Sequence, residues 1–254
     1  MRLPFLQATV ERPRVQPAPT LVPTLPGVDI AALYRGARMG GDFFDFLVTP
    51  CGRLVFLLLD VAGKRVEALE IATAVQELFR KQTPELFRSD DTNQSDALTD
   101  LGILVNREIL RAAGGVRHAP AFLGSFHPKL GMLSYVNAGH TPALLKDGTG
   151  VTLLQANGIP LGLFSHATHD AGVAVVEPGA AVLLVSKGLV ESRSGSKEFG
   201  LQRATQVLLG QEFQHAQEIC SAILQAVESF SRNGVPENDT TALALLRAPA
   251  PALP

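Results

Sequence analysis

Apolar and polar positions along this chain change their period several times, and each change marks a structural element. Residues 28–34, 42–48 and 54–59 read as strands; the third, Leu54-Val55-Phe56-Leu57-Leu58-Leu59, is an unbroken apolar run that stops on Asp60. Residues 66–81 then switch to helical spacing, with Leu69, Ala72, Val75 and Phe79 on one face. A second helix is expected over 95–113, where Leu98, Leu101, Val105 and Ile109 line up and Gly114-Gly115 supplies a stop. Asp91 to Asn93 make a polar turn between the two helices.

Short strands follow in pairs. Residues 122–126 and 132–137 flank His127-Pro128-Lys129-Leu130-Gly131, and 143–146 and 151–154 flank the turn dipeptide Asp147-Gly148. Strands at 173–176 and 181–185 are split by Glu177-Pro178-Gly179. Helices at 202–209 and 214–230 come next, the longer one with Ile219, Ile223, Ala226 and Phe230 inward, and a strand at 240–246 closes the chain. Hairpins with helix pairs between strand blocks predict an α+β fold with mainly antiparallel sheets, not a parallel βαβ sheet.

The ends read differently. Pro4, Pro13, Pro17, Pro19, Pro23 and Pro26 interrupt the start, so residues 1–24 are expected to form an extended arm or linker, and none of a helix. Residues 25–248 then make one domain and 249–254 a frayed tail. A hydrophobic fraction of 46% over 254 residues suits a single core. A formal net charge of -2 gives no reason to expect a nucleic-acid or membrane surface as partner. No run is long enough to span a bilayer, no signal-peptide pattern opens the chain, and Cys51 and Cys220 form neither a metal spacing nor a disulfide framework. A cytoplasmic location is the expectation.

Chemistry enters with the acids. Asp42 and Asp60 each sit at the edge of an expected strand, and Asp239 precedes the last one. Acids so placed suit a hard divalent cation, which takes oxygen ligands. Taken singly, Asp42 reads as a turn residue after Gly40-Gly41, Asp239 as a strand-entry turn with Asn238, and Asp60 as a metal ligand ahead of a helix cap. Asp45 has neighbours at period two that would place it on a solvent face. Arg38 is a candidate for a substrate phosphate or for a surface ion pair, and Lys64 and Arg65 for solvated charge. His140 reads as a histidine fixing a loop rather than as a general acid.

Five motifs fall in order: Gly40-Gly41-Asp42-Phe43-Phe44-Asp45, Asp60-Val61-Ala62-Gly63-Lys64, Asn137-Ala138-Gly139-His140-Thr141-Pro142, Gly158-Ile159-Pro160-Leu161-Gly162 and Asn238-Asp239-Thr240-Thr241. Together they resemble the metal-dependent serine/threonine phosphatases of the type 2C superfamily, in the bacterial branch that includes SpoIIE and RsbU. The resemblance covers roughly residues 25–247. It implies a four-layer α-β-β-α sandwich with two Mn or Mg ions at one end. By residue-wise match Asp60 bridges the metals, the Val61 carbonyl adds a ligand, and Asp42 and Asp239 complete the set. The implied activity is hydrolysis of phosphoserine or phosphothreonine on a regulatory protein, of the anti-sigma-factor antagonist class, in stress or sigma-factor signalling.

One position departs from the family pattern. Where Thr-Asp-Gly is usual, the chain has Ser186-Lys187-Gly188, followed by Leu189-Val190-Glu191. A charged lysine has donors and no lone pair, so it cannot ligate. Two readings stay open: a phosphatase weakened by Lys187, holding one metal or two, or a pseudophosphatase whose fold serves as a protein-binding module. A third reading turns Lys187 outward onto Glu191 at the rim.

Overall fold

The computed structural model describes residues 16–36, 41–231 and 238–249. Twelve strands and five helices are found among them. β2 (Asp42–Val48), β3 (Leu54–Asp60), β4 (Ala121–His127), β5 (Met132–Ala138) and β8 (Gly172–Val175) form one antiparallel sheet in that order. β1 (Val28–Arg35), β12 (Thr240–Arg247), β9 (Ala181–Val185), β6 (Ala143–Asp147) and β7 (Gly150–Leu154) form the other. Helices α1 (Arg65–Leu86) and α2 (Gln94–Ala113) cover the first sheet. α3 (Lys187–Val190), α4 (Gly200–Leu209) and α5 (Ala216–Phe230) lie on the second.

The unbroken apolar run of β3 follows from this layering. Side chains alternate across a strand. Val55, Leu57 and Leu59 pack beneath α1 and α2, while Leu54, Phe56 and Leu58 point into the core between the sheets. A strand covered on both faces needs apolar residues at every position, and the run stops where the sandwich ends, at Asp60. The four-layer α+β architecture is therefore the one expected.

Several boundaries moved. α1 runs to Leu86, beyond the expected stop at 81, and carries Pro84 inside its last turn. α5 begins at Ala216 rather than 214. α3 and a small hairpin of β10 (Arg193–Ser194) and β11 (Lys197–Glu198) were not expected; elements of two to four residues leave no periodic trace. α2 starts as its sequence asks: the Asn93 side chain accepts from the Ser95 and Asp96 amides. Asn93→Ala should therefore lower stability by about 1 kcal/mol in urea unfolding, with no effect on the distant end of the sandwich.

Residues 16–24 have no regular structure, as the prolines require, yet they are docked. Ala18 exchanges two hydrogen bonds with the Gln76 side chain on α1, and the Thr20 hydroxyl donates to the Phe44 carbonyl of β2. Arg80 of α1 donates to the Pro19 carbonyl and holds Asp45 through both carboxylate oxygens, at 2.7 and 3.1 Å. Asp45 is fully buried, not on a solvent face as its neighbours suggested. Its charge is matched by that guanidinium, which is what keeps a buried carboxylate tolerable. Among the described residues, no helix is long and apolar enough to cross a membrane.

Candidate metal centre

The ladder between β2 and β3 places Asp42 directly opposite Asp60, at the end where both strands leave the sandwich. In the facing sheet β12 begins at Thr240, and Tyr34 of β1 stands opposite Thr241. The two sheets thus bring Asp42, Asp60 and Asp239 to one end of the molecule. They line a cavity of about 210 Å³ together with His118, Lys187, Glu191, Gly41, Val61 and Gly188. Arg38 lies outside the described residues.

Close backbone packing fixes this cluster. The Val61 amide donates to the Gly41 carbonyl at 3.0 Å, and a methyl group on Gly41 would run into the Val61 carbonyl oxygen. Across the cavity, a methyl group on Gly188 would run into the Asp239 carbonyl oxygen. Ser186 holds the same junction: its amide donates to the Thr241 carbonyl, and its hydroxyl accepts from the Thr241 amide, both at 3.0 Å. The residues on either side of Lys187 are therefore bolted to the Asp239–Thr241 segment. On the other wall, the Ala62 amide donates to the His118 carbonyl, and the Ala119–Leu161 bridge braces that connection. This gives the Gly158–Gly162 motif its structural use.

The three aspartates differ in partners. Asp42 accepts from the Thr241 hydroxyl at 2.6 Å. Its carboxyl is closely surrounded by protein, and burial, with Asp60 and Asp239 nearby adding to the effect, pushes its pKa up to about 8. Asp239 accepts from the Tyr34 hydroxyl at 2.9 Å. Burial, then the Asp239 carboxylate, pushes that phenol up to about 12, with Arg65 beside it acting the other way. Asp60 accepts no hydrogen bond among the described residues. Burial raises its pKa, and the nearby charges of Lys187 and His118 oppose that rise. Lys187 is 54% exposed and its ammonium lies 3.5 Å from Glu191. The rim pairing is thus present, while Lys187 still lines the cavity.

A profile of the family described as Stage II sporulation protein E (SpoIIE) matches residues 50–248. The chain belongs to the SpoIIE family. That places it in the PP2C-type, metal-dependent serine/threonine phosphatase superfamily. As a SpoIIE-family chain it is 26% identical over 251 residues to Protein IcfG of Synechocystis, covering 90% of this chain and 39% of that one. It is 21% identical over 182 residues to the phosphoserine phosphatase RsbP of Bacillus subtilis, covering 68% and 42%. It spans about two fifths of the length of these curated relatives. Its fold superposes on the RsbU and RsbW domains of a Mycobacterium tuberculosis protein with a TM-score of 0.70 at 28% identity, covering 90% of this chain and 62% of that one. The PP2C phosphatase domain of Bacillus subtilis SpoIIE gives 0.68 at 16% identity, covering 86% and 63%.

The SpoIIE family match begins after Asp42 but includes Asp60, Lys187 and Asp239. The superfamily uses Mn or Mg, and one solved relative, RsbX, is described as a complex with magnesium. Among the described residues, no three His, Cys, Asp or Glu side chains are grouped so as to hold a metal ion unaided. The donor set nonetheless fits a hard, partly hydrated cation. Asp60 turns an acceptor with no donor partner toward a polar cavity, and no hydrogen bond to the Val61 carbonyl is made among the described residues. Mg and Mn need only a few such oxygens, with water completing the shell.

Sequence reasoning missed Tyr34, Thr241 and His118 as members of this end. Thr241 stood within a quoted motif, and its register against Tyr34 links the two. Nothing local marks His118, which arrives from the connection between α2 and β4. His140 is buried; its amide donates to Asn137, and its ring Nδ1 lies 3.1 Å from both Thr141 oxygens. Burial pushes its pKa down to about 4, which suits a neutral histidine that shapes its own turn.

Proposed function

We propose that this domain hydrolyses phosphoserine or phosphothreonine on a regulatory protein, with a divalent cation held by Asp60, the Val61 carbonyl, Asp239 and Asp42. The observation that carries this reading is the unpartnered Asp60 carboxylate turned into a cavity where two sheets deliver three aspartates. Family membership supports the reaction class. When bound, the cation supplies Lewis-acid activation of water and neutralises charge on phosphoryl oxygens. The chain's own residues do the positioning. Asp60 is fixed by the Asp42 register opposite it and by its amide bond to the Pro120 carbonyl at 2.9 Å. Tyr34 orients Asp239 and Thr241 orients Asp42. The anti-sigma-factor antagonist class is the proposed substrate. The likeness to RsbP, named a phosphoserine phosphatase, and to the RsbU domain favours it.

Lys187 favours a second reading. A positive charge beside three acids opposes cation binding, so a binding module without turnover retains a physical basis. The two readings part in one assay. Hydrolysis of a phosphoserine peptide and of p-nitrophenyl phosphate is measured with and without Mn. Weak Mn-dependent turnover, raised about tenfold or more by Lys187→Asp, is the expected result. Robust turnover by the unaltered protein would rule out the binding module; none with either protein would rule out the phosphatase.

A further inference from the structure

We infer that Lys187 is the resident counter-cation of the carboxylate cavity, a tethered competitor that a divalent ion must outbid electrostatically, and that Glu191 holds it at the rim. This deepens the reading of the cavity as a cation site and rests on it. Four observations carry it.

First, Lys187 cannot drift. Ser186 is hydrogen-bonded to Thr241, and Gly188 packs against the Asp239 carbonyl too closely for a methyl group. The stem of Lys187 therefore starts from a fixed point at the edge of the cavity. Second, its charge faces the acids: Lys187 lines the same cavity as Asp42, Asp60 and Asp239, where a positive charge offsets their mutual repulsion. That is the service a bound metal ion would otherwise perform. Third, α3 presents Glu191 one turn after Lys187, at 3.5 Å from the ammonium. Spacing of four residues on one helical turn brings such pairs together. Fourth, both partners are about half exposed, so their mutual attraction is small and an incoming charge can disturb it.

The charges give the direction of the effect. Asp42, Asp60, Asp239 and Glu191 face the cavity with Lys187. An incoming divalent ion gains from the acids and loses against the ammonium. Repulsion between a divalent ion and a unit charge several ångströms away is substantial even at a half-solvated site. Glu191 reduces that loss by drawing the ammonium outward. The cavity is thereby set to bind metal weakly and reversibly.

The test is Mn²⁺ binding alone, by titration calorimetry and by the electron paramagnetic resonance of free Mn²⁺, on metal-stripped whole chain without substrate. Lys187→Met keeps the stem and removes the charge, and should tighten binding about 10- to 100-fold. Glu191→Gln should weaken binding about 3- to 10-fold by releasing the ammonium onto the acids. In the Lys187→Met background, Glu191→Gln should add nothing, since its role runs through the lysine. Asp60→Asn should abolish binding. Unchanged affinity in Lys187→Met, with binding still lost in Asp60→Asn, overturns the inference and leaves the metal site standing. An equal loss on Glu191→Gln in both backgrounds makes Glu191 a direct donor and overturns its place at the rim. Binding by Asp60→Asn equal to the unaltered protein overturns the metal reading and this inference with it. Circular dichroism melts of all variants check that each is folded.

Discussion

Replacing Asp42 by asparagine is expected to stabilise the metal-free protein while removing its Mn-dependent activity. In the folded chain Asp42 is pushed up to about 8, against 3.8 for a free carboxyl, chiefly by burial. Its folded pKa is raised, so the stabilising contribution is complete below about pH 4 and is lost as pH rises through about 8. At pH 8 the folded state must hold either a proton that the unfolded chain has released or a buried charge. Asparagine keeps an acceptor for the Thr241 hydroxyl and never ionises. In EDTA, Asp42→Asn should gain on the order of 2–4 kcal/mol at pH 8 and close to nothing at pH 4. Urea midpoints at the two pH values give the difference directly. His140, pushed down to about 4, acts in the opposite sense below pH 6.5 and cancels in the comparison. With Mn, the same variant should lose phosphatase activity about 100-fold or more, because one oxygen ligand has lost its charge. A stabilised but inactive variant is the signature of residues held in strain for function.

The largest structural effect is expected at Phe56. It stacks on Phe122 with ring centroids 6.2 Å apart, and Phe122 stacks on Tyr135 at 5.5 Å. Gly124 opposite leaves the space the Phe56 ring fills. Phe56→Ala empties the middle of the core between the sheets, and β strands locked on both edges cannot close the gap. A loss of about 3–5 kcal/mol is expected, a large share of the roughly 5–15 kcal/mol that such a domain has. The urea midpoint should fall with little change in slope. A loss below about 1 kcal/mol would mean the two sheets are packed less tightly than described.

The strands and long helices were legible because burial imposes a period. β2 (Asp42–Val48) and β9 (Ala181–Val185) end where the pattern ends, and α2 (Gln94–Ala113) is set by Asn93 and Gly114. α1 was cut short because its last turn buries a polar residue, Thr83, and holds Pro84, so the apolar period does not continue through it. Asp45 was misplaced because one guanidinium from a distant helix can bury a carboxylate that its neighbours would leave in water. Of the candidate site, the acids were legible from ordered motifs. His118 and Tyr34 were not: contacts between β1 and β12, or across the connection before β4, leave no mark on local sequence. Lys187 was read as a break in pattern, but its seat beside Glu191 needed α3, a helix of one turn.

The two classes of site residue belong to different parts of the architecture. Asp42 and Asp60 are rungs of a strand ladder, so the fold cannot form without bringing them together. Lys187 opens a single helical turn at the margin and Glu191 caps it, both outside every ladder. A substitution that changes the sign of such a residue breaks no rung of the sandwich. Melting temperature would then carry no information about turnover, and a well-folded member of the family has to be assayed, not merely purified, before it is counted as an enzyme.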